Sequence, residues 1–62
     1  MYSGYITSIR PSTESRIIIP FIEINDVELT CLIEREYMPG WESAVWFTDK
    51  THVEELINNL RV

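Results

Sequence analysis

Sixty-two residues, 45% of them hydrophobic, carry ten acidic against five basic side chains and a net charge of −5. That length allows one domain and no interdomain cleft, and a lone cysteine with a lone histidine excludes an internal disulfide and a four-ligand structural zinc site. The acidity repels nucleic acid and anionic membrane on average, so both are disfavoured as partners, whereas a basic protein surface is attracted.

The opening MYSGYITSIRPS has neither a charged start nor a long apolar region, and no apolar run approaches the roughly 18 residues of a membrane span. The expectation is a soluble cytoplasmic protein, and the unpaired cysteine fits a reducing compartment. Gly4 to Arg10 alternates Tyr5, Thr7 and Ile9 against Ile6, Ser8 and Arg10, which predicts a first strand. Pro11-Ser12-Thr13-Glu14-Ser15 ends it as a loop, because proline fixes φ and small polar residues favour turns.

The most sharply patterned stretch is Arg16 to Glu34, and its alternation predicts a β-hairpin folded about Asn25-Asp26. Pairing across that turn puts Ile18, Pro20, Ile22 and Ile24 on one face with Val27, Leu29, Cys31 and Ile33, a wholly apolar core face. The other face carries Ile17, Ile19, Phe21 and Leu32 at its open end, with Glu23 opposite Glu28 beside the turn. Those two carboxylates are either screened by solvent or meet a cation of a partner. Pro20 cannot donate a ladder hydrogen bond, which marks an edge strand or a bend.

Tyr37 leaves the hairpin, and Met38-Pro39-Gly40 makes a turn in which proline presets φ and glycine admits a positive value. Trp41 follows, either as a lid over the end of the core or as a partner contact of the type enriched in binding hot spots. Ser43 to Thr48 predicts a fourth strand with Trp46 and Phe47 on opposite faces. Thr51 and Glu54 have capping-box spacing, although Thr48 or Asp49 would cap a longer helix, and Val53, Leu56, Ile57 and Leu60 make one apolar stripe. The whole reads as a single α+β domain over residues 1–62: a mainly antiparallel four-stranded sheet in β-β-β-β-α meander order with one C-terminal helix packed on one face.

Chemistry is sparse. Cys31 sits in the apolar alternation and reads as a buried, inert thiol, and His52 reads as a polar residue of the first helical turn. No third residue orients them into a catalytic dyad, the acidic pairs do not converge on a metal, and Gly4 and Gly40 make no phosphate loop. No catalytic residue, metal or cofactor is expected.

GYITSIRP, a loop and then IIIPFIEI together resemble the first two strands of cold-shock and S1-type OB barrels, over about a third of the chain. The resemblance implies a small barrel that binds single-stranded nucleic acid, with outward rings supplied by Tyr5, Tyr37, Trp41 or Trp46. The chain departs from that pattern in lacking closely spaced aromatics on the second strand and in the sign of its charge.

A domain this small buries only about 60% of the surface its unfolded chain exposes. Without a staple it needs a good core, a sheet closed into a barrel, or burial against another chain. The reading that follows is a non-enzymatic inhibitor or regulator, of the kind carried by phages and mobile elements, that docks on a basic or apolar surface of a larger protein or pairs with itself. Its expected contact residues are Ile17, Ile19, Phe21, Leu32, Glu23, Glu28, Tyr37 and Trp41.

Overall fold

Strong alternation at the start of the chain produces two long strands. In the computed structural model, which describes residues 1–61, β1 spans Tyr2–Arg10 and β2 spans Ser15–Ile24. They pair antiparallel, Ile6 opposite Ile19 and Arg10 opposite Ser15. The turn between them is closed by the Thr13 N–H donating to the Arg10 carbonyl at 3.2 Å.

The next segment overturns the expected hairpin. Asp26–Arg35 is a helix, α1, followed by β3 at Glu42–Phe47 and a second helix, α2, at Lys50–Leu60. The fold is therefore α+β with a three-stranded antiparallel sheet of order β2-β1-β3 and two helices, in place of four strands in meander order and one helix. Two local causes favour the helix. Leu29, Leu32 and Ile33 stand at i, i+3 and i+4, so the same apolar residues satisfy a helical stripe as well as an alternation. Asn25, extended at φ −84° and ψ 176°, then caps it. Its Oδ1 accepts the Glu28 N–H at 2.8 Å and its Nδ2 donates to the Glu28 carboxylate at 2.8 Å, a variant of the capping box. Asp26 and Glu28 at the positive end and Arg35 at the negative end complement the helix dipole.

Topology supplies a third cause. Both β2 and β3 run antiparallel to the central β1, so they are parallel to each other, and joining them requires a crossover over the sheet. Helix α1 is that crossover. It ends near Glu36, after which the Met38-Pro39-Gly40 turn forms as expected: the Trp41 N–H donates to the Met38 carbonyl at 3.2 Å and Gly40 has φ +86°. Helix α2 begins at Lys50 with Asp49 as its N-cap, so the longer of the two anticipated helices forms and Thr51 does not cap it.

The register sorts the side chains into two layers. Gly4, Ile6 and Ser8 share a face with Phe21, Ile19 and Ile17 of β2 and with Phe47, Val45 and Ser43 of β3. Helix α1 covers that face, where Leu29 packs with Ile6 and Phe21 and is flanked by Ile19, Ile24, Leu32 and Val45. The opposite face carries Tyr5, Thr7 and Ile9 with Pro20, Ile18 and Arg16 of β2 and Trp46, Ala44 and Glu42 of β3. Helix α2 packs there on β2 and β1, with Val53 fully buried and Leu56 beside Tyr5 and Trp46. Its eleven residues span about 16 Å, too short to cover a ten-residue strand of about 33 Å from end to end. Half of this face stays bare.

Two backbone features fix how the strands meet. A Cβ on Gly4 would fall on the Trp46 carbonyl oxygen, so only glycine lets β1 approach β3 this closely. At the other edge Glu23 takes φ +51° where the β1–β2 register shifts, and its N–H donates to Ser3 Oγ at 3.0 Å.

Candidate interaction surface

The bare half of the α2 face is built from every second residue of three strands. Tyr5, Thr7 and Ile9 of β1, Ile18 and Arg16 of β2, and Trp46 of β3 line a groove of about 310 Å³. Trp46 is 52% exposed, yet its indole N–H donates to Thr7 Oγ1 at 3.0 Å, and its ring stacks on Tyr5 with centroids 6.4 Å apart and planes at 21°. The rings are therefore held in place while remaining accessible. Ile9 and Ile18 are exposed beside them, and Arg16 and Glu42 lie at the far end of the sheet, in register on either side of Ile9.

Of the contact residues anticipated from sequence, Ile17 lines the edge of this groove, whereas Ile19, Phe21 and Leu32 meet on the face that α1 covers and the others lie apart. Phe21 is only 5% exposed and lies in the core, while Ile19 and Leu32 are half-buried against it. Ile17 alone of that row remains exposed, at the hairpin end. Glu23 and Glu28 do not face each other: the Glu23 carboxylate lies 3.6 Å from Lys50 Nζ, and Glu28 is held by Asn25. Tyr37 is 78% exposed beyond the end of α1, and Trp41 is half-buried with the Arg10 guanidinium 6.0 Å from its ring centre. The structure thus gathers Ile19, Phe21 and Leu32 into one cluster and leaves the remaining five dispersed. Sequence reasoning passed over Ile9, Ile18 and Arg16, whose signal was the alternation that pairs Tyr5 with Trp46, Thr7 with Ile18 and Ile9 with Arg16 once β1 is placed in the centre.

Among the described residues, Cys31, His52 and Ser8 lie apart from one another, on α1, α2 and β1. Cys31 is exposed on the flank of α1, beside Ile24 and Leu32, which corrects its reading as a buried core thiol. His52 lies on α2, across the sheet from Cys31, with its Nδ1 3.4 Å from Thr48 Oγ1 and 3.9 Å from the Asp49 carboxylate. Ser8, fully buried, shares a hydrogen bond of 2.9 Å with Ser43 Oγ, which satisfies both hydroxyls without a base beside them. Among the described residues no three of His, Cys, Asp and Glu come together as a metal site, and no helix is long and apolar enough to cross a membrane. Near the α1 N-terminus the Asp26 carboxylate, by hydrogen bonding and by its charge, raises the Tyr2 phenol above its ordinary value of 10.0.

The chain matches no protein family model, no curated protein and no solved structure.

Proposed function

We propose that the protein is a non-enzymatic interaction module, an inhibitor or regulator, that docks on a larger protein through the open half of its Tyr5–Trp46 face. The observation that carries this reading is the fixed, accessible Trp46–Tyr5 stack bordered by exposed Ile9 and Ile18. Contiguous apolar groups of this kind mark interaction surfaces, and tryptophan, tyrosine and arginine are the residues on which binding energy concentrates. Long-range attraction from the −5 charge favours a partner whose apolar patch is rimmed by lysine and arginine.

The test compares wild type with Ile18→Glu, which places a charge in the groove, and with Val27→Glu, which alters the exposed outer side of α1. A protein captured by wild type is purified and titrated against all three by calorimetry. The expected result is a stoichiometric complex that Ile18→Glu weakens at least tenfold, about 1.4 kcal/mol, that Val27→Glu leaves unchanged, and that added salt weakens. Equal binding by Ile18→Glu defeats the proposal. So does saturable, salt-sensitive binding of a labelled single-stranded oligonucleotide to the same rings in place of any protein.

A further inference from the structure

The two edges of the sheet are not alike. On the β2 side Pro20 removes a donor and Glu23 kinks the strand through a positive φ at the register shift, two devices that discourage pairing with another chain. The β3 side has neither. Its six residues run without proline or irregularity, no strand of the sheet lies beyond it, α1 and α2 pack mainly on β1 and β2 and reach β3 at Val45 and Trp46 on its two faces, and the Trp46 indole is drawn inward onto Thr7. Since the Thr48 N–H donates to the Ser3 carbonyl at 3.0 Å, alternation along this ladder turns the polar groups of Trp46, Ala44 and Glu42 toward β1. Those of Ser43, Val45 and Phe47 then point outward.

From this edge we infer that the β3 strand pairs with β3 of a second copy, antiparallel about a two-fold axis through Val45, to give a continuous six-stranded sheet. Among two-fold registers, only the one centred on Val45 uses every outward group: Val45 pairs with its own counterpart, and Ser43 pairs with Phe47 of the other copy. The side chains fit the same register. Small Ser43 and Ala44 at one end of β3 meet large Phe47 and Trp46 at the other, so each bulky ring lies opposite a small residue on both faces of the sheet. Charge fits as well, because Glu42 is the strand's one charged residue and the two-fold places the two copies of it at opposite ends. The occupant is thus a second copy of this chain, whose edge complements itself in hydrogen bonds, size and charge. This inference is independent of the proposed docking face, which would extend across both copies.

The experiment is solution mass over a dilution series, paired with amide hydrogen exchange read residue by residue at the same concentrations. The expected result is twice the chain mass at high concentration, with Ser43, Val45 and Phe47 amides protected there and exposed on dilution. Added salt should strengthen the pair, since two acidic copies repel, which is opposite to its effect on a basic partner. Val45→Pro removes an outward N–H and should reduce the mass to one chain with the far-ultraviolet dichroism retained. Where that variant fails to fold, exchange in the wild type decides the matter. A single chain at all concentrations, or a dimer in which those three amides exchange freely, overturns the inference. Ile18→Glu should leave the pair intact, which separates it from the docking proposal.

Discussion

The pair Asn25-Asp26 is where a hairpin and a helix make opposite demands, so it offers the sharpest test of the fold. Asn25→Ala removes the oxygen that takes the Glu28 N–H and the amide that holds the Glu28 carboxylate, both at 2.8 Å. Loss of such an N-cap costs about 1 kcal/mol, and the exposed side-chain bond adds ~0.3 kcal/mol. A chain of this length has total stability on the order of 3–9 kcal/mol, and 1 kcal/mol moves the thermal midpoint of so small a domain by about 4–8 °C. A drop of about 5–10 °C is expected for Asn25→Ala. Asp26→Gly goes further, because the two folds differ in the sign of its effect. In a hairpin it would create Asn-Gly, the most favourable two-residue turn, and raise stability. At the start of α1 it removes an acidic group from the positive end of the dipole and adds backbone freedom, together a loss of about 1 kcal/mol. Thermal melts followed by far-ultraviolet dichroism, with tryptophan fluorescence as a second probe of two-state behaviour, measure both variants. An unchanged or raised midpoint for Asp26→Gly would refute the helix and the capping argument behind it.

Two further outcomes are expected. Val53 is the fully buried residue of α2, so Val53→Ala should cost about 2 kcal/mol in denaturant unfolding through lost methyl burial and the cavity left behind. Leu60→Ala, at a position 52% exposed on the same helix, should stay within about 0.5 kcal/mol; equal losses would mean that α2 does not seat on the sheet through Val53. In an ultraviolet titration one of the three tyrosines should ionise above 10.0, and Asp26→Asn should return it toward that value. Because the folded phenol is raised above its unfolded value, the associated stability is present below about pH 10 and is lost as pH rises through the folded value. Wild type should therefore weaken more than Asp26→Asn as the pH rises above about 10, and parallel losses in the two proteins would remove Asp26 as the cause.

The candidate surface was less legible than the elements that carry it. Trp46 and Phe47 were separable onto opposite faces from their adjacency in a strand, and the structure places them so, Trp46 on Tyr5 and Phe47 against Tyr2 and Phe21. Which of those faces is open depended on how many helices the chain contains. With one helix, the row Ile17, Ile19, Phe21 is left uncovered; with two, α1 buries Phe21 and the vacancy moves to Ile18 and Ile9 on the other side. The identity of that one segment, strand or helix, thus inverts the surface and moves β1 from the edge of the sheet to its centre, while the spans of the other elements hardly change.

Local pattern by itself determined the strands at the start of the chain and at Trp46, the Pro39-Gly40 turn and the C-terminal helix, because in each one period dominates and its ends carry proline, glycine or a capping residue. It also determined the acidity and the absence of a disulfide. Between Ile24 and Ile33 the apolar residues satisfy both a period of two and a period near 3.6, and the capping pair Asn25 and Glu28 tolerates either reading until burial is counted. Tertiary structure decided that segment, since β3 pairs with β1, not with the strand before it in sequence, and the chain must cross the sheet to reach it. Crossing as a helix satisfies the backbone internally and brings Leu29 onto Ile6 and Phe21. That long-range packing, which no window of neighbouring residues contains, is what chose the core face and left the other half open.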